Sequence, residues 1–198
     1  DKDGNTDPAG AIPAKIESYA RATEAVFGTV AAQRPAFKET QLRFGGAPKF
    51  MQLAETLRVL GLQATEAQKE EWGRHYVAYN EAHTPLCPEF AAVRSMLVAL
   101  AERFDLYLLS GIPQAQLDAD VQRRGLAGYF LEVRGGDKTA FCRELKRCGY
   151  RRLLVAGDGT YDELAARAAQ IPFIYVQSND DLTHLMSRLL TSGLESIA

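Results

Sequence analysis

The sequence has few cysteines, and their spacing does not fit a metal site or a disulfide framework. Three cysteines, Cys87, Cys142 and Cys148, occur among 198 residues, and no two of them form a C-x-x-C pair. An odd number of dispersed thiols is typical of buried or incidental cysteines in a reducing compartment. The cysteines therefore argue against a zinc-binding or disulfide-rich extracellular protein and favour a cytoplasmic one.

The sequence also lacks long apolar runs and a strong excess of one charge. No apolar run approaches the roughly 20 residues that cross a bilayer. The formal net charge of −2 and the pI near 6.0 predict no basic surface for nucleic acid. The hydrophobic fraction of 46% is enough for a core. We expect a soluble protein, one large domain or a domain with an insertion, without nucleic-acid or membrane partners.

Residues 11–83 have the apolar spacing of amphipathic helices and contain no convincing strand. Ile16 and Tyr19 belong to the first apolar series, and Gly61 is typical of the end of a later helix. Thr65, followed by a glutamine three residues later, resembles a capping box that starts another helix. This stretch therefore predicts a bundle of three or four helices.

After the proline-rich segment 84–88, strands and helices alternate along the chain. The apolar runs predict short strands at 106–109, 129–133, 152–156 and 173–176. Amphipathic or alanine-rich stretches predict the intervening helices at 88–103, 114–124, 138–148, 162–169 and 180–190. Such alternation predicts an α/β fold whose parallel sheet is covered by helices on both faces.

The segment Gly157-Asp158 marks the end of a buried strand, and a helical pattern begins at Asp162. Ligands of open parallel α/β sheets bind outside the carboxyl ends of the strands. Two carboxylates directed into one crevice suit Mg²⁺, which prefers oxygen ligands. The alternative is structural, with an ordinary turn at Asp158 and a helix N-cap at Asp162.

Two other strand ends carry residues that suit an anion. Ser110-Gly111 follows the first predicted strand, where a hydroxyl and backbone N–H groups can cradle a phosphate. Lys138 begins a helix, where the helix dipole disfavours a cation. It is therefore either simply solvated or a fixed cation in an anion-binding crevice.

Further candidate site residues lie at the start of the sequence and in one loop. Asp1 and Asp3 form an Asp-x-Asp-Gly pattern, although polar first residues are commonly just a frayed terminus. Arg43 and Lys49 flank a Gly/Pro loop and could contact an anionic substrate. A helix connection with solvated basic residues is the structural alternative.

In chain order, the Asp-x-Asp-Gly pattern, Ser110, Lys138 and Gly157-Asp158-x-x-x-Asp162 resemble the haloacid dehalogenase superfamily, in particular its phosphoglycolate-phosphatase-like phosphatases. The resemblance implies a Rossmann-like parallel sheet with helices on both faces, formed by residues 1–10 and 84–198. It also implies that residues 11–83 are an inserted all-helical cap.

The resemblance implies a role for each acidic residue. Asp1 is expected to attack phosphorus and become an aspartyl phosphate, and Asp3 to serve as the general acid and then the general base. Asp1, the backbone carbonyl of Asp3 and Asp158 are expected to hold Mg²⁺. Asp162 is expected to be a further ligand or to orient a metal-bound water.

The remaining roles concern the phosphate and the rest of the substrate. Ser110, the neighbouring Gly111 backbone and Lys138 are expected to clamp the phosphate. Arg43 and Lys49 match the position of the cap loop that contacts the leaving group. The implied activity is Mg²⁺-dependent hydrolysis of a small phosphorylated metabolite by a monomer or homodimer.

Two alternative activities stay open at this point, a phosphomutase with the same residues and a catalytically weak phospho-ligand binder. Asp3 favours phosphoryl transfer over carbon–halogen cleavage, because a halide leaves without protonation. Nothing precedes Asp1, whereas members of the family carry an apolar strand there. We therefore expect the natural chain to extend upstream of Asp1.

Overall fold

The structure, a computed structural model, describes residues 11–28, 34–43, 47, 49–83 and 93–194. The chain divides into two compact units, Asp1–Pro88 and Glu89–Ala198. The first is helical in its described part, and the second alternates strands and helices. The assignment of residues 1–10 and 84–88 to the α/β core stays a prediction, because these residues lie outside the described ones.

The described part of the first unit contains four helices: α1 (Ala11–Phe27), α2 (Arg34–Arg43), α3 (Lys49–Leu60) and α4 (Glu66–His83). The predicted helical bundle is thus confirmed. Helix α3 ends before Gly61, whose φ of +66° is the left-handed conformation that glycine adopts readily. The capping box is also confirmed, since Gln68 N donates to Thr65 Oγ1 and Thr65 N donates to Gln68 Oε1.

An aromatic cluster of Tyr19, Trp72 and Tyr76 forms the core of the first unit. Their ring centroids lie 5.0 to 5.3 Å apart, with Trp72 stacked on Tyr76. Trp72 Nε1 donates a hydrogen bond of 3.0 Å to the buried Thr23 Oγ1. Leu53 and Leu57 of α3 extend the cluster, so α1, α3 and α4 share one apolar core.

The second unit begins its described part with helix α5 and ends with helix α9. The elements in order are α5 (Val93–Ala101), β1 (Tyr107–Ser110), α6 (Gln114–Arg123), a 3₁₀ turn (Ala127–Tyr129), β2 (Glu132–Gly135), α7 (Lys138–Arg147), β3 (Val155–Gly157), α8 (Thr160–Ala168), β4 (Phe173–Tyr175) and α9 (Asn179–Ser192). The predicted alternation of strands and helices is therefore confirmed.

Two predicted strands begin about three residues too early, since β3 begins at Val155 and not at Arg152, and the strand at 129–133 is displaced in the same direction. Residues 129–133 were expected to be extended, but a 3₁₀ turn ends at Tyr129 and β2 begins only at Glu132. Tyr129 and Phe130 instead pack against the apolar cluster of α5 and α9. Their apolar character reflects that packing, which periodicity in a short window does not distinguish from a buried strand.

The described strands form two parallel pairs. In the first pair, Tyr107 lies opposite Glu132 and Ser110 opposite Gly135. In the second pair, Val155 lies opposite Phe173 and Gly157 opposite Tyr175. No hydrogen-bonded ladder joins β1 or β2 to β3 or β4 within the described residues, so the single continuous sheet that was expected is not seen there.

Helices cover both faces of the strands. Leu154 packs against the cluster formed by α5 and α9, whereas Leu153 and Val155 pack against the cluster of α7 and α8. Successive residues of an extended chain point to opposite sides, so the two clusters lie on opposite faces. The unit therefore has the layered α/β architecture that brings the carboxyl ends of parallel strands to one edge.

No helix of the described residues is both long and apolar enough to cross a membrane.

Candidate functional site

Ser110 is the last residue of β1 and lies at the carboxyl edge of the first strand pair. Its carbonyl oxygen accepts a hydrogen bond of 2.8 Å from Gly136 N, which connects β1 to the loop after β2. Its hydroxyl oxygen lies 3.4 Å from Ile112 N, a long contact across the turn that contains Gly111. The turn therefore places the Ser110 hydroxyl near the backbone N–H of Ile112, and both are groups that can donate to an anion.

Gln114, the first residue of α6, fastens this turn to β2. Its Oε1 accepts from Gly135 N at 2.7 Å, and its Nε2 donates to Val133 O at 2.9 Å. A Cβ atom at Gly135 would lie 2.6 Å from Ile112 O, so only glycine fits this approach. The sequence does not indicate this role of Gln114, because nothing in the pattern of an amphipathic helix distinguishes it from its neighbours.

Lys138 is the first residue of α7 and points away from solvent. The helix is capped by Asp137, whose Oδ1 accepts from Ala140 N at 3.0 Å. Lys138 Nζ donates to Asp162 Oδ1 at 2.6 Å, and both side chains are only 12% exposed. The carboxylate offsets the unfavourable position of a cation at a helix start, so simple solvation does not explain Lys138.

Asp162, in the first turn of α8, is held on both carboxylate oxygens. Oδ1 accepts from Lys138, and Oδ2 accepts from Gly159 N at 3.2 Å, as in a capping box. A Cβ atom at Gly157 would lie 2.6 Å from Asp162 Cβ. The absence of a side chain at Gly157 therefore allows Asp162 to pack against the end of β3.

Asp158 follows β3 directly and differs from Asp162 in its exposure. Its side chain is exposed, and its carbonyl oxygen accepts from Gln177 Nε2 at 3.3 Å. Val176 N donates to Gly157 O at 2.9 Å, so the residues after β4 support the turn that carries Asp158. Asp158 thus presents an open carboxylate at the edge where β3 ends.

Of the two carboxylates, Asp158 and Asp162, only one is available to bind a hard cation such as Mg²⁺. No group of three or more histidine, cysteine or acidic side chains suited to a metal occurs among the described residues. Asp158 is an available oxygen ligand, whereas both oxygens of Asp162 are engaged by Lys138 and Gly159. Mg²⁺ commonly takes one or two carboxylates, waters and a substrate phosphate, so Asp158 suits it but needs a further carboxylate.

The charge pair also affects the thiol of Cys142, which is fully buried on α7. Burial raises the pKa of the Cys142 thiol, and the negative charge of Asp162 raises it further, while Lys138 opposes this in part. Cys142 therefore stays a neutral thiol near neutral pH, in agreement with the structural role expected for it.

The other predicted site residues are not brought to this edge by any described contact. Asp1 and Asp3 lie outside the described residues. Lys49 begins α3, but its side chain also lies outside them. Arg43 ends α2 with its guanidinium exposed, and Nη1 lies 3.8 Å from Glu55 Oε1 within the helical unit. The roles of these four residues stay predictions.

Among known proteins, the chain shows similarity only to solved structures. No family model matches the sequence, and no curated protein matches it. A predicted phosphoglycolate phosphatase from Haemophilus somnus is 18% identical with a TM-score of 0.64, covering 82% of this chain and 77% of its own. A putative phosphoglycolate phosphatase from Lactobacillus delbrueckii is 15% identical with a TM-score of 0.59, covering 89% and 92%.

A third solved structure is similar over nearly the full length of both chains. It is a HAD-superfamily hydrolase, subfamily IA, variant 1, from Geobacter sulfurreducens, 20% identical with a TM-score of 0.56, covering 89% of this chain and 90% of that one. The chain has the haloacid dehalogenase fold. The resemblance predicted from the sequence is thus confirmed at the level of the fold. In this fold, Ser110 ends β1, Lys138 follows β2, and Asp158 and Asp162 follow β3.

Proposed function

We propose that the chain is a Mg²⁺-dependent phosphatase that hydrolyses a small phosphorylated metabolite through an aspartyl phosphate on Asp1. The observation that supports the proposal most is the Lys138–Asp162 pair, which fixes a cation close to the carboxyl edge of the strands. A second support is that two of the similar solved structures carry the name phosphoglycolate phosphatase. Ligands bind at this edge in open α/β sheets.

The phosphate group is bound by Ser110, the Gly111 backbone and Lys138. The hydroxyl and the backbone N–H groups supply hydrogen bonds, and the ammonium group of Lys138 supplies positive charge. Asp162 holds that ammonium group at 2.6 Å, so it needs little reorganisation when charge develops on the phosphate. Arg43 and Lys49 contact the leaving-group side of the substrate.

The chemistry is two in-line displacements at phosphorus. A carboxylate oxygen of Asp1 attacks phosphorus while the bond to the ester oxygen breaks, and the Asp3 carboxyl group gives its proton to that oxygen. A water molecule then attacks the phosphorus of the aspartyl phosphate, and Asp3 takes the proton of this water. The acyl–phosphate bond breaks, which restores Asp1 and releases inorganic phosphate.

Asp1, the backbone carbonyl of Asp3 and Asp158 would hold Mg²⁺. When bound, the cation neutralises the repulsion between the carboxylate nucleophile and the phosphate dianion. Asp158 is exposed and suits this role. Asp162 is better suited to orienting its neighbours, because its oxygens already accept from Lys138 and Gly159.

The direct test is phosphate release from p-nitrophenyl phosphate with and without Mg²⁺. We expect activity that EDTA abolishes and Mg²⁺ restores. Asp1→Asn, Asp158→Asn and Lys138→Ala should each lower kcat about 10²–10³-fold, the usual effect of removing a charge partner of the transition state. Glu102→Gln is the matched control, because this exposed residue precedes the amino end of β1.

The same assay identifies the alternatives. Interconversion of sugar-phosphate isomers without release of phosphate would show a mutase. Binding of a phosphorylated ligand without turnover, unchanged by Asp1→Asn, would show a binding protein and contradict the proposal. A panel of phosphorylated metabolites assayed for phosphate release would then define the substrate.

A further inference from the structure

Gln114, the first residue of α6, uses the oxygen and both N–H groups of its side-chain amide. Oε1 accepts from Gly135 N at 2.7 Å, and Nε2 donates to Val133 O at 2.9 Å and to Asp118 Oδ1 at 2.7 Å. A reversed amide would place its oxygen against two acceptors and its N–H groups against a donor. The three contacts therefore fix one orientation of the side chain, although Gln114 lies at the surface.

The amide of Gln114 takes the place of a neighbouring strand along β2. Val133 O and Gly135 N are two residues apart, which is the spacing that one residue of a parallel strand bridges. Gly136 N donates to Ser110 O, toward β1, and successive peptide groups of a strand point to opposite edges. Gln114 therefore satisfies the edge of β2 that faces away from β1, where the described strands offer no partner.

The turn between β1 and α6 lies directly on the end of β2. A Cβ atom at Gly135 would lie 2.6 Å from Ile112 O and 2.8 Å from Gln114 N, and both are backbone atoms that a change of rotamer does not move. The N-cap of α6 is Pro113, whose side chain makes no capping hydrogen bond. The start of α6 is thus held by the Gln114 amide and the close approach at Gly135, and not by a side-chain cap.

This turn carries the groups that the proposed function assigns to the phosphate. It is attached to β2 at both ends, at Ser110 through Gly136 N and at Gln114 through the amide. We infer that Gln114 is a positioning residue for phosphate, an inference that rests on the proposed function. It holds the Ser110 hydroxyl and the Gly111 backbone in the arrangement that binds the phosphoryl group, and it does not touch the substrate itself.

Fixing this turn affects the reaction because hydrogen-bond donors stabilise a transition state best when they are aimed at the developing charge beforehand. A displacement of about 1 Å can cost about 10²-fold in rate. Lys138 is held separately, by Asp162 at 2.6 Å, and Asp158 follows a different strand. Loss of the Gln114 amide should therefore weaken the binding of phosphate and leave the requirement for Mg²⁺ unchanged.

The test compares Gln114→Met, which keeps the length of the side chain and loses its amide, with Gln122→Met. The control is the same change at an exposed residue near the other end of α6. Binding of inorganic phosphate is measured by calorimetry with Mg²⁺ present, and phosphate release from p-nitrophenyl phosphate is measured over a range of Mg²⁺ concentrations.

We expect Gln114→Met to weaken the binding of inorganic phosphate and to lower kcat, each about tenfold or more. The Mg²⁺ concentration that gives half-maximal activity should stay the same, and the melting temperature should change by only a few degrees, because Gln114 lies at the surface. Gln122→Met should match the wild type in all four measurements.

A pair of substitutions tests the contact itself. Gln114→Glu places a carboxylate oxygen against Val133 O and Asp118 Oδ1, so it should weaken phosphate binding at least as much as Gln114→Met. Adding Asp118→Asn removes one of these repulsions and supplies an amide that donates to the new carboxylate, so part of the lost binding should return. Asp118→Asn alone should have little effect, because its Oδ1 still accepts from Gln114. A double variant that binds phosphate no better than Gln114→Glu would overturn the inference.

The outcomes separate this inference from the proposed function. If Gln114→Met binds and releases phosphate as the wild type does, the inference is wrong and the proposed function stands. If Gln114→Met binds inorganic phosphate more weakly than the wild type but neither protein turns over a phosphate ester, the inference stands and the proposed function is wrong. A lower kcat with unchanged phosphate binding, or a wild type that does not bind phosphate, would also overturn the inference.

Discussion

Lys138 Nζ and Asp162 Oδ1 lie 2.6 Å apart, although the two residues begin different helices and are separated by 24 positions. Each side chain is 12% exposed, so the pair is largely shielded from water. It connects the start of α7, which follows β2, to the start of α8, which follows β3. The pair is therefore both a structural connection and the fixed cation of the proposed site.

Replacing one member of this pair should destabilise the second unit more, per substitution, than replacing both members together. Lys138→Met or Asp162→Asn alone leaves a shielded charge or polar group without its partner and should cost about 3 kcal/mol. The double variant should lose less free energy of unfolding than the two single variants added together. Urea unfolding followed by circular dichroism measures these losses. Glu132→Gln is the control, because its pair with Arg134 is about 40% exposed and worth at most about 1 kcal/mol. If the losses of the two single variants simply add up in the double variant, Lys138 and Asp162 are not coupled.

Gly157→Ala should displace Asp162. The new Cβ atom would lie 2.6 Å from Asp162 Cβ, closer than real Cβ atoms approach. We expect a loss of about 1–3 kcal/mol in the free energy of unfolding, typical of overpacking. Gly128→Ala is the matched control, since nothing lies within 4 Å of a Cβ atom there. Equal stability of the two variants in thermal melts would show that Asp162 is not held against β3.

Cys142 should resist alkylation in the folded protein, whereas Cys148 should react. Cys142 is fully buried, and burial together with the charge of Asp162 raises the pKa of its thiol. Cys148 is exposed. Iodoacetamide at pH 8, followed by peptide mapping, should modify Cys148 at least about 100-fold faster, because Cys142 reacts only after local opening. In urea, Cys142 and Cys148 should be alkylated at similar rates. Similar rates in the folded protein would contradict the burial of Cys142.

The first unit should lose stability at alkaline pH through Tyr76. Burial raises the pKa of Tyr76 to about 12, above the ordinary value of a tyrosine near 10, so the folded state favours the neutral phenol. The resulting stability is present below pH 10 and is lost as the pH rises from 10 to 12. Two pKa units correspond to about 3 kcal/mol.

Tyr76→Phe should reduce this alkaline loss without abolishing it, because burial also raises the pKa of Tyr19 in the same aromatic core. At pH 8 the substitution should change stability by less than about 1.5 kcal/mol. Urea unfolding followed by the fluorescence of Trp72, the chain's single tryptophan, reports this unit. Tyr79→Phe is the control, because Tyr79 lies on the same helix but outside the aromatic core. An equal alkaline loss in the wild type and Tyr76→Phe would assign the effect to another group.

The sequence by itself determined the local elements and their class. Apolar spacing located the helices of residues 11–83, and Gly61 and Thr65 marked a helix end and a helix start correctly, because capping depends on adjacent residues. Short apolar runs located four strands, although β2 and β3 begin about three residues later than predicted. Tyr129 and Phe130 owe their apolar character to distant helices, and a local pattern does not show that.

Only the tertiary structure decided which of the candidate residues meet. A lysine at a helix start is ambiguous in sequence, and its pairing with Asp162 follows from the packing of α7 beside α8. The close approaches at Gly135 and Gly157 and the contribution of Gln114 likewise involve residues far apart in the chain. Periodicity and capping act over a few residues, whereas a site is assembled by contacts between strand ends that sequence order does not record.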